Sequence, residues 1–386
     1  MPSVSGVGVV LFLVISSSNS TIRTYSIERK TKITFVTHYP KVFETSRRWS
    51  LVKRKLVILW VWNPNFRSEK EMKPRIEWAK KVFSDAAEVR VAKTTSEDEL
   101  AREIRGAHIL LTDTDVPVPK KAIDASDRLK AIVLFSAGYE HVDVKAATEK
   151  GVYVVNNPDS NTVAVAEYTL GLMFTLIKKI ISADKAVRRG KWNIRPTLRV
   201  SEFEGKTLGI IGLGHIGRTV ATKAMGLGMN IIAYSPHIKE EIAKKIDVKL
   251  VDLETLLKES EIVSIHTVLT EDKRHLIGEH ELRLMKRSAY LINTARGPIV
   301  DKGALYRALK ESLIKGAALD VFDKEPPDPD DPLLKLDNVV LAPHVAWNTE
   351  ETVQKTLSMI VEEVSRIMKG KIPKNLVNIE LLKRKQ

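Results

Sequence analysis

Three short segments of this chain carry side chains that could do chemistry. They are Asn293-Thr294-Ala295-Arg296-Gly297, the run from Leu319 to Pro326 (Leu-Asp-Val-Phe-Asp-Lys-Glu-Pro), and Ala342-Pro343-His344-Val345-Ala346-Trp347. Each follows a run that reads as a β-strand, and in an open α/β sheet ligands bind at the carboxyl edge of the strands. A guanidinium offers a rigid fork of donors to planar oxygens. An imidazole titrates near neutrality and can give or take a proton. Groups of this kind could receive a carboxylate, polarise a neighbouring carbonyl and protonate the alkoxide that forms as a hydride arrives, which is the reduction of a 2-oxo acid. Taken singly, each has a plainer reading: a surface Arg, a satisfied core His, and a Glu before a turn-forming Pro.

A hydride donor has its own signature. Gly212-Leu213-Gly214-His215-Ile216-Gly217 is G-x-G-x-x-G, placed after the strand-like Thr207–Ile211 and opening a helix that runs to about Gly226. In that context the first Gly permits a tight turn, the second lets backbone approach a pyrophosphate, and the third allows close helix–strand packing. The helix N-terminus offers free N–H groups to phosphates. An acidic residue for the adenosine ribose is expected about 20 residues on, after the strand ending at Tyr234. Ser235 stands there, followed by Pro236, His237 and, two further on, Lys239. Serine neither binds a 2′-hydroxyl strongly nor repels a 2′-phosphate, and His237 and Lys239 could help hold one. The cofactor expected is NAD or NADP, the balance tipping to NADP.

Two βα series must position these groups. Leu56–Trp62 is a continuous apolar run of buried parallel-strand type. Helical text at Glu69–Phe83 follows, then strand-like Glu88–Ala92, a helix at Ser96–Arg105, and strands at His108–Thr112, Leu129–Phe135 and Val152–Asn156. Asn161–Val187 reads as one long helix, closed by Arg189-Gly190. The second series has strands at Thr207–Ile211, Asn230–Tyr234, Ile262–Ile265, Ala289–Asn293, Gly316–Asp320 and Val339–Leu341. A last amphipathic helix, Thr349–Lys369, is expected to return to the first domain. The fold class is therefore α/β, with two doubly wound parallel-sheet domains.

Composition narrows the alternatives. The 386 residues hold no cysteine, which excludes disulfides, thiolate metal sites and a cysteine nucleophile. Of the formal +14 charge, much lies in residues 1–55, where ten Lys or Arg stand against Glu28 and Glu44. The body has no long basic run with interleaved aromatics, so no nucleic-acid partner is expected. The apolar run Val9–Ile15 is too short for a bilayer span of about 20 residues, and no basic residue precedes it as in a secretory signal. Residues 1–52 are expected to be an extension outside the catalytic fold, with translation from near Leu51 or Val52 as one origin for it. A cytoplasmic protein without membrane or metal is expected.

Over roughly residues 55–370 the sequence resembles the D-isomer-specific 2-hydroxyacid dehydrogenase family. The matching text includes Ser136-Ala137-Gly138-Tyr139-Glu140-His141-Val142-Asp143, Val165-Ala166-Glu167, the glycine fingerprint and the three segments above. The resemblance implies a flavodoxin-like substrate domain (53–157 and 346–386) interrupted by a Rossmann NAD(P)-binding domain (158–345), with the active site between them. It implies that Arg296 binds the substrate carboxylate and polarises its carbonyl. It implies that His344 is the acid in reduction and the base in oxidation, and that Glu325 orients the imidazole. Asp320 would meet the nicotinamide end; His215, Ile216, Thr267, Thr294, Ala295 and Arg296 would line the cofactor; and backbone amides at Ser136, Ala137 and Gly138 would hold the substrate carboxylate. A homodimer is implied too, compatible with the apolar helix from Asn161.

Departures from the family pattern refine this. Val268 stands where many members have Pro, Glu325 rather than Gln speaks against the formate dehydrogenase branch, and Trp347 resembles hydroxypyruvate and glyoxylate reductases. No regulatory domain follows Lys369, which argues against the larger phosphoglycerate dehydrogenases but not the short ones. The expectation is a glyoxylate- or hydroxypyruvate-type reductase, with D-3-phosphoglycerate dehydrogenase as the alternative enzyme. A cofactor-sensing, corepressor-like binding protein is the alternative of another class.

Overall fold

The computed structural model describes residues 56–383; the N-terminal extension to residue 52 lies outside the described residues. Five strands, β1 (Leu56–Trp62), β2 (Ala87–Lys93), β3 (Ile109–Thr112), β4 (Ala131–Leu134) and β5 (Tyr153–Val155), form one parallel sheet in the order β2-β1-β3-β4-β5. Seven more, β6 (Thr207–Ile211), β7 (Asn230–Tyr234), β8 (Lys249–Leu250), β9 (Ile262–Ile265), β10 (Tyr290–Asn293), β11 (Gly316–Leu319) and β12 (Val339–Leu341), form a second in the order β12-β11-β10-β9-β6-β7-β8. The first is the flavodoxin-like order and the second contains the Rossmann order. Each sheet reverses direction once, between β1 and β3 and between β6 and β9, and those switch points are where crevices open at the carboxyl edge.

The apolar runs are continuous because both sheet faces are buried. Successive side chains point to opposite faces, so in the first sheet Leu59, Val61, Leu110, Ile132 and Leu134 enter one core while Ile58, Trp60, Trp62, Ile109, Leu111 and Val133 enter the other. In the second sheet Leu208, Ile210, Ile231 and Ile292 lie on one face, and Ile211, Ile232, Val263, Ile265 and Leu291 on the other. Burying a Leu, Ile or Val of this kind contributes about 1.5–3 kcal/mol, which is what holds twelve mostly short strands in register.

The long helix Glu350–Met368 places Leu357, Ile360, Val364 and Ile367 in the core on the face of the first sheet, next to β4, so the chain returns to that sheet. The segment after it is pinned there. Buried Glu363 accepts from the backbone N–H of Lys374 and Asn375, and Asn378 bridges Val152, Val154 and Thr148.

The expected single helix Asn161–Val187 is two. Thr162–Ile177 ends at Lys178, Lys179 adopts a left-handed φ of 51°, and Ile180–Arg188 restarts in a new direction. The first helix is committed to the second sheet through Leu172, Met173, Leu176 and Ile177. The second helix leaves Ile180, Ile181 and Val187 exposed. Strand β8 and the short helices Lys120–Ala125 and Val144–Glu149 also emerge beyond the sequence reading. Among the described residues no helix is long and apolar enough to cross a membrane, and no group of three or more His, Asp or Glu is gathered for a metal ion.

Candidate active site

The glycine turn sits at the switch point of the second sheet. Gly212 leaves β6 with φ 97°, and its N–H donates to the Tyr234 carbonyl at 2.9 Å. A Cβ there would fall 2.7 Å from Thr267 N and 2.8 Å from the His266 carbonyl oxygen. A side chain at 212 would therefore push the ends of β6 and β9 apart. Gly214 is the N-cap of the helix His215–Met225 and brings no capping side chain, so the first N–H groups of that helix carry no side-chain acceptor from the cap. His215 lies 2.9 Å from Asp159 on the linker from the first sheet, and Ile216 packs on the core.

Beyond β7 and β8 a cavity of about 580 Å³ is lined by Tyr234, Ser235, Pro236, Ile238, Leu250, Val251, Asp252 and Thr255. His237 and Lys239 are exposed and do not line it. Its carboxylate, Asp252, caps Thr255, and those hydrogen bonds hold it below the usual carboxyl range. A turn that tolerates no side chain, an uncovered helix N-terminus and an adjoining cavity together fit a dinucleotide.

The three chemistry-bearing segments follow β10, β11 and β12, neighbours in the sheet. After β10, buried Asn293 braces the turn: its side chain accepts from Ala295 N and donates to the Arg296 carbonyl. Arg296 projects from this turn, its Nη1 donating to the Ala295 carbonyl at 2.8 Å. The next residue, Gly297, packs against the Phe322–Asp323 peptide of the neighbouring segment, where a Cβ would lie 2.5 Å from Asp323 N. Glu325 turns back there, with Oε1 accepting from Phe322 N at 3.0 Å and Oε2 lying 2.6 Å from His344 Nδ1. That distance is just below the usual range of a charge-assisted N–H···O hydrogen bond, about 2.7–2.9 Å. Partial burial resists ionisation of Glu325, but the His344 hydrogen bond and charge, the Phe322 N–H and Arg296 outweigh it and hold the carboxyl below its ordinary range.

His344 is itself held in a left-handed conformation, φ 54°. The reason lies just past β11: Asp320, fully buried, accepts Val345 N and Ala346 N at 2.9 and 3.0 Å and so fixes the backbone just beyond the histidine. Burial raises the Asp320 carboxyl against these two hydrogen bonds and the charge of His344. Thr294 is also buried, its hydroxyl shared with Thr169 at 2.9 Å, so its side chain is turned towards the helix Thr162–Ile177. His266 bonds Ser264 at 2.8 Å, and burial pushes its pKa down to about 3.

The first sheet presents the loop after β4. Ser136 Oγ donates to the Gly138 carbonyl at 2.8 Å and Asn156 to the Ala137 carbonyl at 2.7 Å, which rigidifies Ser136–Gly138. Arg296 reaches this loop and meets Glu140, with Nε and Nη2 at 3.3 and 3.4 Å from the two carboxylate oxygens. Beside it the loops after β1 and β3 are tied together by Arg67, which lies 2.5 Å from Asp113 and 3.3 Å from Asp115. His141 lies among Asp113, Glu140 and Arg296, with neither ring nitrogen hydrogen-bonded.

So Arg296, Glu325 and His344 are gathered with Ser136–Gly138, and the glycine turn lies at the same edge of the second sheet. The parts played by Glu140, Asn293, Asn156, Arg67 and Asp113 were not read from the sequence, although Glu140 and Asn293 stand in segments singled out there.

A family model described as "D-isomer specific 2-hydroxyacid dehydrogenase, NAD binding domain" matches residues 170–346. A glyoxylate reductase of Korarchaeum cryptofilum is 45% identical over 277 residues, 71% of this chain and 82% of the relative. A D-3-phosphoglycerate dehydrogenase of Methanocaldococcus jannaschii is 41% identical over 307 residues; the match takes in 79% of this chain but only 58% of the relative's length. Among solved structures, a D-lactate dehydrogenase from Aquifex aeolicus complexed with NAD and lactic acid superposes with a TM-score of 0.75 at 28% identity, covering 83% of this chain and 98% of that one.

Proposed function

We propose, from the premise that this chain belongs to the D-isomer-specific 2-hydroxyacid dehydrogenase family, that it reduces a small 2-oxo acid of the glyoxylate or hydroxypyruvate type to its D-2-hydroxy acid. The observation that carries this reading is the Glu325–His344 pair at 2.6 Å, close enough to Arg296 for its charge to act on Glu325. NAD or NADP, held by the turn from Gly212 to Gly217, supplies the hydride. Arg296 and the Ser136–Gly138 amides receive the substrate carboxylate, and the guanidinium draws electron density towards the carbonyl oxygen. His344 delivers its proton to that oxygen as the negative charge grows, where such help lowers the barrier most. Glu325 fixes the ring and stabilises its protonated form, the part the carboxylate plays in other acid–base triads. In oxidation the same imidazole takes the proton back.

The phosphoglycerate alternative is supported by the Methanocaldococcus relative. Charge at the site opposes it. Arg67 is shared among Asp113, Asp115 and Glu71 within 3.4 Å, and Arg75 also pairs with Glu71, so three carboxylates face two guanidiniums in the cluster beside His141. A phosphate would meet those carboxylates, whereas the hydrogen or hydroxymethyl group of glyoxylate or hydroxypyruvate would not be repelled. At the adenosine end two features oppose one another: Ser235 leaves space for a 2′-phosphate, while the Asp252 carboxylate repels one. The domain limits we propose are 53–157 with 346–386, and 158–345, a division supported by the grouping of β1–β5 and of β6–β12 into separate sheets. A homodimer is the oligomer we propose, with exposed Val163, Ile180, Ile181, Val187 and Trp192 as its apolar surface.

The test is loss of reduced-nicotinamide absorbance with NADH and NADPH, each against glyoxylate, hydroxypyruvate, pyruvate and 3-phosphohydroxypyruvate. Turnover with hydroxypyruvate above that with its phosphate ester is expected. Cofactor binding without turnover of any acid would sink the enzyme reading in favour of a cofactor-sensing protein.

A further inference from the structure

Both groups that would receive a substrate carboxylate already face one. Glu140 spans Nε and Nη2 of Arg296 at 3.3 and 3.4 Å. The same carboxylate folds back over its own loop, its Oε2 lying 2.7 Å from where a Cβ of Gly138 would be. Gly138 is the last of the three residues whose backbone would hold the substrate, and the Arg296 Nη2 rests against it as well. The absence of a side chain at 138 is what lets guanidinium and carboxylate meet there. The contacts are long for charge-assisted hydrogen bonds, whose usual N···O distance is about 2.7–2.9 Å. Both side chains keep roughly a third of their surface exposed (31% and 37%), so water can reach the pair. An ion pair of this kind is weak and exchangeable.

We infer that Glu140 is an internal occupant of the substrate-carboxylate position, displaced when the 2-oxo acid binds, and that it sets the affinity for substrate. This inference rests on the reading of Arg296 as the carboxylate-binding residue. A substrate carboxylate gains the Arg296 fork only by releasing Glu140 to solvent or towards His141, and part of its binding free energy is spent on that exchange. The reacting carbonyl and His344 are not involved, so the effect falls on binding and not on the chemical step. The exchange also discriminates by charge. With Glu140 retained nearby, a substrate bearing a second anionic group close to its carboxylate is disfavoured over a monoanion.

The experiment compares wild type with Glu140→Gln and Glu140→Ala, measuring kcat and KM for glyoxylate and the inhibition constant of oxamate, which cannot be reduced. Removing an exposed competing carboxylate should lower KM and the oxamate constant about two- to fivefold, with kcat nearly unchanged, in both variants. Unchanged constants would overturn the inference. So would a raised KM that Glu140→Asp restores, since Glu140 would then position Arg296 and not compete for it. Arg296→Ala is measured in parallel. If it leaves oxamate binding intact, the carboxylate assignment of Arg296 fails. If it weakens oxamate binding while both Glu140 variants match wild type, only the present inference fails.

Discussion

Replacing Gly297 by alanine would place a methyl group where the Arg296 turn touches the Glu325 turn. The new Cβ would lie 2.5 Å from Asp323 N, whereas non-bonded atoms settle at about 3.5 Å or beyond. The Phe322 carbonyl carbon and oxygen would lie closer still, so the Phe322–Asp323 peptide must retreat by at least about 1 Å. Glu325 is tied to the adjoining Val321–Phe322 peptide through Phe322 N at 3.0 Å and to His344 at 2.6 Å. The retreat consequently opens the carboxylate–imidazole contact, or drags the imidazole away from the carbonyl that Arg296 holds. A misplacement of about 1 Å in a catalytic constellation can cost 10²-fold in rate, and overpacking a tight contact costs about 1–3 kcal/mol of stability. The expected result is a roughly hundredfold fall in kcat/KM for glyoxylate, a lowered melting midpoint, and NADH binding by fluorescence titration largely kept. The glycine turn that would hold the cofactor leaves a different strand. Wild-type kcat/KM together with an unshifted midpoint would refute the packing argument. NADH affinity falling in step with activity would refute the separation of the two sites.

Two further outcomes follow from the same geometry. His344→Ala should reduce kcat by about 10²–10⁴-fold with cofactor binding kept; loss of cofactor binding instead would contradict its role as the proton donor. His266 gives a pH dependence. Its pKa is about 3 in the fold against 6.5 for the free side chain, so as pH falls from about 6.5 the unfolded chain takes up a proton that the native chain refuses until near pH 3. Stability is lost across that window, on the order of 2–4 kcal/mol. Urea midpoints of His266→Gln should therefore fall less steeply than those of wild type between pH 7 and pH 4, and parallel curves would remove His266 from the account.

The strands were legible because burial on both faces forces continuous apolar text, as in Leu56–Trp62, and Gly212–Gly217 was legible because it sat between a strand and a helix. What periodicity could not supply was any break inside a good helical pattern. Lys178 and Lys179 are ordinary helix formers, and the chain turns there because the first helix is committed to the second sheet while the next is not. Strand β8, two residues long, is too short to carry an alternation. The site divided in the same way. Arg296, Glu325 and His344 stand in segments whose order resembles a family, whereas Glu140 meets Arg296 across 156 residues. The Arg67–Asp113 pair joins two loops whose spacing carries no period. Contacts between sheets are set by how the sheets face one another, which local text does not encode.

The left-handed backbone at His344 sets two kinds of selection against each other. A branched or ringed L-residue held there costs roughly 1–2 kcal/mol that glycine or asparagine would largely relieve. A library of this protein screened only for survival at high temperature should therefore drift towards Gly or Asn at position 344 and lose turnover as it does so. A library screened for turnover would keep the histidine and collect its compensating substitutions elsewhere, with the buried Asp320 anchor among the positions least free to change.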